Sequence, residues 1–104
     1  MFHIADDHVF AVYEQLKDKY PLVMTTTSAL NEGFSIDCPI LVGKAHEQII
    51  ELYAYERDFG LDVMDAAQTK GTHWHPIDME SAAEDVADFM DGKSDYELFP
   101  FKQI

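Results

Sequence analysis

Two histidines in alternation mark the segment of this chain where chemistry could be concentrated. The segment His73-Trp74-His75 runs into Pro76. In an extended backbone successive side chains alternate, so the two imidazoles are expected on one face and the indole on the other. Two imidazoles at this spacing can share a zinc or iron ion if a further ligand is present. The sequence offers four candidates for that ligand: His46, Asp65, Asp78 and Glu80. The simpler interpretation places Trp74 in the core and both histidines at the surface.

An acidic amphipathic helix is predicted directly after this segment. Apolar residues recur at helical spacing between Asp78, the expected N-cap, and Gly92, the expected terminator. Glu80, Glu84 and Asp88 follow one another every four residues, with Asp85 beside them. Like charges at this spacing destabilise a helix by about 0.2–0.5 kcal/mol per pair. A solvated face is the usual explanation, and a docking strip for Lys or Arg of a partner, or a weak Ca²⁺ or Mg²⁺ site, is the alternative.

The charge balance limits the classes of partner. Twenty acidic residues stand against seven basic ones, a formal net charge of −13. Such a surface repels the phosphates of nucleic acids and of anionic lipid headgroups, so we expect neither nucleic-acid nor membrane binding. The acidity then serves either solubility or the recognition of a basic protein.

Length and cysteine content indicate a single domain in a reducing compartment. A chain of 104 residues with 47% hydrophobic residues can form one core. The one cysteine, Cys38, has no partner for an internal disulfide. The first seven residues lack the pattern of a secretory signal, and no apolar run approaches the roughly 18 residues that span a bilayer. We therefore expect a cytoplasmic protein.

Periodicity predicts the order of the elements. A first helix is expected to be capped by Asp6 or Asp7 and to end near Tyr20, before Pro21. Its apolar stripe comprises Val9, Phe10, Tyr13, Leu16 and Tyr20. Strands are then predicted at residues 22–30, 34–42, 47–55, 61–64 and 72–75. The intervening turns are predicted at residues 31–33, 43–44, 56–60 and 68–71.

These elements predict an α+β fold. We expect an antiparallel meander sheet of four to five strands, with the N-terminal and the C-terminal helix packed on one face. The aromatic tail, residues 94–104, is expected to pack on the body or on a second subunit of a homodimer. The opposite face of the sheet would be open, covered by the tail or used in dimerisation, and Tyr53 and Tyr55 are candidates for exposure there.

Three hypotheses for function follow. The leading one is a non-enzymatic, cofactor-free interaction domain, similar in kind to an immunity or inhibitor protein, that contacts a basic partner. Its contact residues are predicted to be Tyr53, Tyr55, Glu80, Glu84, Asp85 and Asp88. The second is a metal-binding protein or small metalloenzyme with zinc or iron on His73, His75, Glu80 and His46. The third is a domain that binds a small ligand between the sheet and the tail. The sequence contains no phosphate-binding loop, dinucleotide glycine fingerprint or hydrolase nucleophile motif.

Overall fold

An antiparallel sheet and two helices form the fold in a computed structural model, which describes residues 4–26, 38–55 and 58–101. The helices are α1 (Ile4–Leu16) and α2 (Ala82–Met90), and a 3₁₀ turn (Met79–Ser81) leads directly into α2. The strands are β1 (Val23–Thr26), β2 (Pro39–Ala45), β3 (Gln48–Tyr55), β4 (Asp58–Asp65), β5 (Lys70–Gly71), β6 (His75–Pro76) and β7 (Phe99–Pro100). The predicted α+β class with an antiparallel sheet is confirmed.

The sheet is a meander extended by short strands. Its order is β1-β2-β3-β4-β5-β7, with β6 also paired to β4, and every pairing is antiparallel. The four longer strands follow the predicted meander. The other three contain two residues each, and the fifth strand, predicted at residues 72–75, overlaps β6 only at His75. Strands as short as β5 and β7 cannot show an alternating hydrophobic pattern, so the prediction did not include them.

The strand register directs the aliphatic side chains of β2, β3 and β4 to one side, called here the core face. Leu41 pairs with Leu52, and Leu52 pairs in turn with Leu61. These side chains are fully buried in one cluster with the apolar sides of both helices. The helix residues of this cluster are Val9, Val12, Leu16, Ala82, Val86 and Phe89. Within the described ranges, neither helix combines the length and the apolar character needed to traverse a bilayer.

Two predicted turns lie elsewhere. Gly43 and Lys44 belong to β2, and the chain reverses instead at His46 and Glu47, which have φ angles of 56° and 63°. Positive φ at both central residues is the geometry that tight hairpin turns favour. Gly43 packs closely against α2, since a Cβ there would lie 2.9 Å from the sulfur of the Met90 side chain. The other turn was predicted at residues 56–60. Residues 58–60 of that range are instead the first residues of β4, where they pair with β3.

The residues at which the helices begin and end, and the side chains that they bury, differ in part from the prediction. Helix α1 begins at Ile4, so Asp6 lies within its first turn and is 5% exposed. The predicted stripe omitted Val12, which is buried, and included Phe10, which is 36% exposed. Before α2, Asp78 is extended but its side chain makes no capping hydrogen bond. Gly92 has a φ of 75° after α2, as its role of terminator requires.

The remaining predictions concern the middle and the end of the chain. Strand β1 covers residues 23–26 of the strand that was predicted at residues 22–30. The rest of that strand, the turn at 31–33 and residues 34–37 lie outside the described residues. In the tail, Tyr96 and Leu98 pack against the core, and β7 pairs with β5. Residues 102–104 are outside the described part.

We predict that Gly60→Ala destabilises the protein by about 1–3 kcal/mol, the usual cost of overpacking. An added Cβ would collide with the backbone carbonyl oxygen of His75 and lie 2.6 Å from the Trp74 ring. Gly43→Ala is the matched control, because its closest neighbour is the flexible end of Met90. Urea denaturation should show a larger loss of unfolding free energy for Gly60→Ala. Equal losses would contradict the close approach of the His75 backbone to β4.

Candidate functional site

The two histidines of the predicted metal pair do not share a face. His73 has a φ of 64°, a left-handed conformation that breaks the alternation of an extended strand. Its ring makes an edge contact with Phe101, with centroids 6.0 Å apart. His75 pairs with Leu61 in the sheet, and its ring centroid lies 6.5 Å from that of Tyr96. Since directly paired residues project to the same side, His75 lies on the core face, and the predicted shared face is wrong.

The other proposed metal ligands are also dispersed. His46 lies in the β2–β3 turn, where its Nε2 atom is 3.2 Å from the Met90 carbonyl oxygen at the end of α2. Glu80 is exposed in the 3₁₀ turn. Among the described residues, no three His, Cys, Asp or Glu side chains are grouped so that they could hold a metal ion. The geometry therefore gives the zinc or iron hypothesis no support.

The predicted acidic strip lies on the 3₁₀ turn and α2. Glu80 and Glu84 are exposed, whereas Asp85 and Asp88 are half-buried. Burial raises the pKa of Asp85, and the nearby Asp88 carboxylate raises it further. A hydrogen bond from Ser81 Oγ to Asp85 Oδ2, 3.4 Å long, acts in the opposite direction. In the described part of the chain none of these four carboxylates forms an ion pair, and the salt bridge found there joins Lys17 to Glu14.

A cavity of about 300 Å³ lies on the opposite side of the sheet from the core face. Its floor, the central part of β3 and β4, carries Glu51, Tyr53 and Asp62. Glu51 pairs directly with Asp62, and the Tyr53 hydroxyl donates to Asp62 Oδ2 at 3.5 Å. Glu51 and Tyr53 are each only 6% exposed. We call this space the sheet cavity.

Trp74 forms one wall of the sheet cavity. Its indole Nε1 donates to the Tyr53 carbonyl oxygen at 3.2 Å, and the two rings lie 6.0 Å apart at 40°. Gly60, opposite Tyr53 in the register, provides the space that the indole occupies. The expectation that Trp74 enters the core is therefore wrong, because it covers the other face of the sheet. It also explains why Tyr53 is buried instead of exposed; the prediction for the Tyr55 side chain lies outside the described residues.

The facing wall comes from the segment after β5 and from the tail. Val63 N donates to Thr72 Oγ1 at 3.0 Å, and Thr72 N donates to the Val63 carbonyl oxygen at 2.9 Å. These two bonds fix the backbone next to His73, whose exposed ring lines the cavity together with Phe101. Gly71 allows that approach, since a Cβ there would lie 2.9 Å from the Phe101 ring.

Sequence reasoning missed the pairing of Glu51 with Asp62. Both occupy polar positions of alternating strands, which is the ordinary pattern of a solvated sheet face. The distinguishing signal was the neighbouring Tyr53 on the same side of β3. Only the register, however, places the two carboxylates next to each other.

Comparisons with protein-family models, with curated proteins and with solved structures gave no match to this chain. Function must therefore be inferred from the acidic strip and the sheet cavity themselves.

We predict that Asp85→Asn makes the protein more stable at pH 7, by roughly 0.5 kcal/mol because the group is half-exposed. The folded state holds the Asp85 proton more tightly than the unfolded state, so ionisation costs stability above the raised pKa. The gain should shrink as the pH falls through that raised pKa and disappear below the ordinary value of 3.8.

Thermal unfolding across this pH range measures the effect. Glu84→Gln removes the same charge from an exposed position of the same helix. An equal gain from both substitutions, or a gain from Asp85→Asn that persists in acid, would show that burial of Asp85 is not the cause.

Proposed function

We propose that the chain is a non-enzymatic interaction domain, similar in kind to an immunity or inhibitor protein, whose acidic strip binds a basic protein. One observation carries the proposal: Glu80, Glu84, Asp85 and Asp88 project from one continuous helical element. No Lys or Arg lies between Lys70 and Lys93 in the sequence to neutralise them. Such a concentration of one sign of charge accelerates and orients the approach of an oppositely charged surface.

The packing of α2 supports this role. Ala82, Val86 and Phe89 are buried in the core, so the opposite side of the helix is held in a fixed orientation. The end of α2 is fixed as well, because the Tyr20 hydroxyl donates to Asp91 Oδ2 at 2.9 Å. A partner would therefore meet carboxylates whose spacing is already set, which reduces the entropy lost on binding.

The net charge distinguishes between kinds of partner. At −13 per chain, two copies repel each other, so a basic protein fits the acidic strip better than a second copy. Because Tyr53 is buried beneath Trp74, it is not part of the proposed contact surface, which comprises the 3₁₀ turn and α2, with Tyr55 kept as a predicted contact. The cytoplasm is the proposed compartment, supported by the single cysteine.

The double substitution Glu80→Gln with Glu84→Gln tests the proposal without disturbing the core, since both side chains are exposed. The tagged protein is incubated with lysate at about 0.05 M and about 0.5 M salt, because screening at the higher concentration weakens charge pairing. We expect a basic protein to be retained by the wild type at low salt only, and to be lost with the double variant.

The control is Asp7→Asn with Asp18→Asn, which removes two charges from exposed positions on and just after α1. It should retain the partner as the wild type does. If no basic protein is retained, or if both double variants lose it equally, the acidic strip has no specific partner and its charge serves solubility.

A further inference from the structure

We propose that the sheet cavity is a binding site for a small organic cation, an amine, amidine or guanidine attached to a flat apolar group. The site lies on the face of the sheet opposite α1 and α2, so it is separate from the proposed protein-binding strip. Its volume of about 300 Å³ is at the lower end of ligand pockets, which limits the ligand to about the size of one substituted ring.

The two carboxylates on the cavity floor favour a cationic ligand. Directly paired residues on antiparallel strands have Cβ atoms about 5 Å apart, so the Glu51 and Asp62 carboxylates lie side by side on the cavity floor. Glu51 is only 6% exposed, and an ionised carboxylate offers hydrogen-bond acceptors and no donor. Each carboxylate also interacts elsewhere in the chain, and the N–H groups of an amine, amidine or guanidine are the complementary donors for such acceptors.

The walls select for a flat group. The Trp74 ring, which contacts the Tyr53 ring of the floor, forms the wall on one side, and Phe101 and His73 form the wall on the other. Aromatic faces attract cations through their quadrupole, tryptophan most strongly, and they also pack well against planar apolar groups. A ligand that combines a planar group with a positive charge would pack against the aromatic walls and donate hydrogen bonds to the carboxylates of the floor.

The walls are also positioned before any ligand arrives. The indole is hydrogen-bonded to the backbone of β3, and Thr72 is bonded twice to Val63 of β4. The tail strand β7 brings Phe101 to the cavity through its pairing with β5. Such a preformed site loses little conformational entropy on binding.

Trp74 is the only tryptophan of the chain, so its fluorescence reports on the cavity directly. Three probes of nearly the same shape test the charge requirement: benzamidine as the cation, benzamide as the neutral isostere and benzoate as the anion. We expect benzamidine to change the emission saturably and benzamide to bind at least about ten-fold more weakly, since charge-assisted hydrogen bonds are lost. Benzoate should not bind.

Asp62→Asn and Glu51→Gln should each weaken benzamidine binding about ten-fold. Asp18→Asn removes a negative charge from an exposed position just after α1 and should leave the affinity unchanged. Circular dichroism checks the fold of each variant, and the three-probe comparison on the wild type decides the question should Glu51→Gln not fold. Non-saturable quenching, equal binding of benzamide or benzoate, or equal weakening by all three variants would overturn the proposal.

Discussion

The pairing of β3 with β4 is the constraint on which the rest of the structure depends. Eight residue pairs, from Gln48 with Asp65 to Tyr55 with Asp58, fix which side chains share a face. In this register Ile50, Leu52 and Leu61 meet the helices, while the carboxylates of Glu51 and Asp62 meet on the other side. A shift of one residue in either strand would exchange these sets, exposing the aliphatic groups and placing charges in the core. The core and the sheet cavity are therefore two consequences of one register.

The chain between β5 and the 3₁₀ turn then runs antiparallel along the edge of β4 that β3 does not occupy, and it leads into α2. Three contacts hold it there: Thr72 with Val63, the Trp74 indole with Tyr53, and Ile77 N with the Phe59 carbonyl oxygen at 2.9 Å. The left-handed backbone at His73 turns the segment between the first two contacts. Because α2 follows immediately, the same anchors set where the acidic strip begins.

The sequence predicted those features that repeat along the chain. The 3.6-residue period located both helices, and the alternation of Ile50, Leu52 and Ala54 identified β3 despite its helix-compatible residues. Features that arise from contacts between distant residues were not predictable. Gly43 appears as a turn residue in sequence, yet it lies in β2, where it pairs with Ile50 and a Cβ would contact the Met90 side chain on α2. The alternating pattern did not reveal the positive φ of His73, and that one angle separates the predicted histidine pair.

The position of the indole ring tests this account most directly. In a nitrogen-edited nuclear Overhauser spectrum, the Trp74 Hε1 proton should show cross-peaks to Tyr53 and Gly60, since its nitrogen lies 3.2 Å from the Tyr53 carbonyl oxygen. The same proton should exchange slowly with water, as its hydrogen bond requires. Cross-peaks from the indole to Val12, Val86 or Phe89 would instead place Trp74 in the helix-packed core and contradict both the register and the sheet cavity.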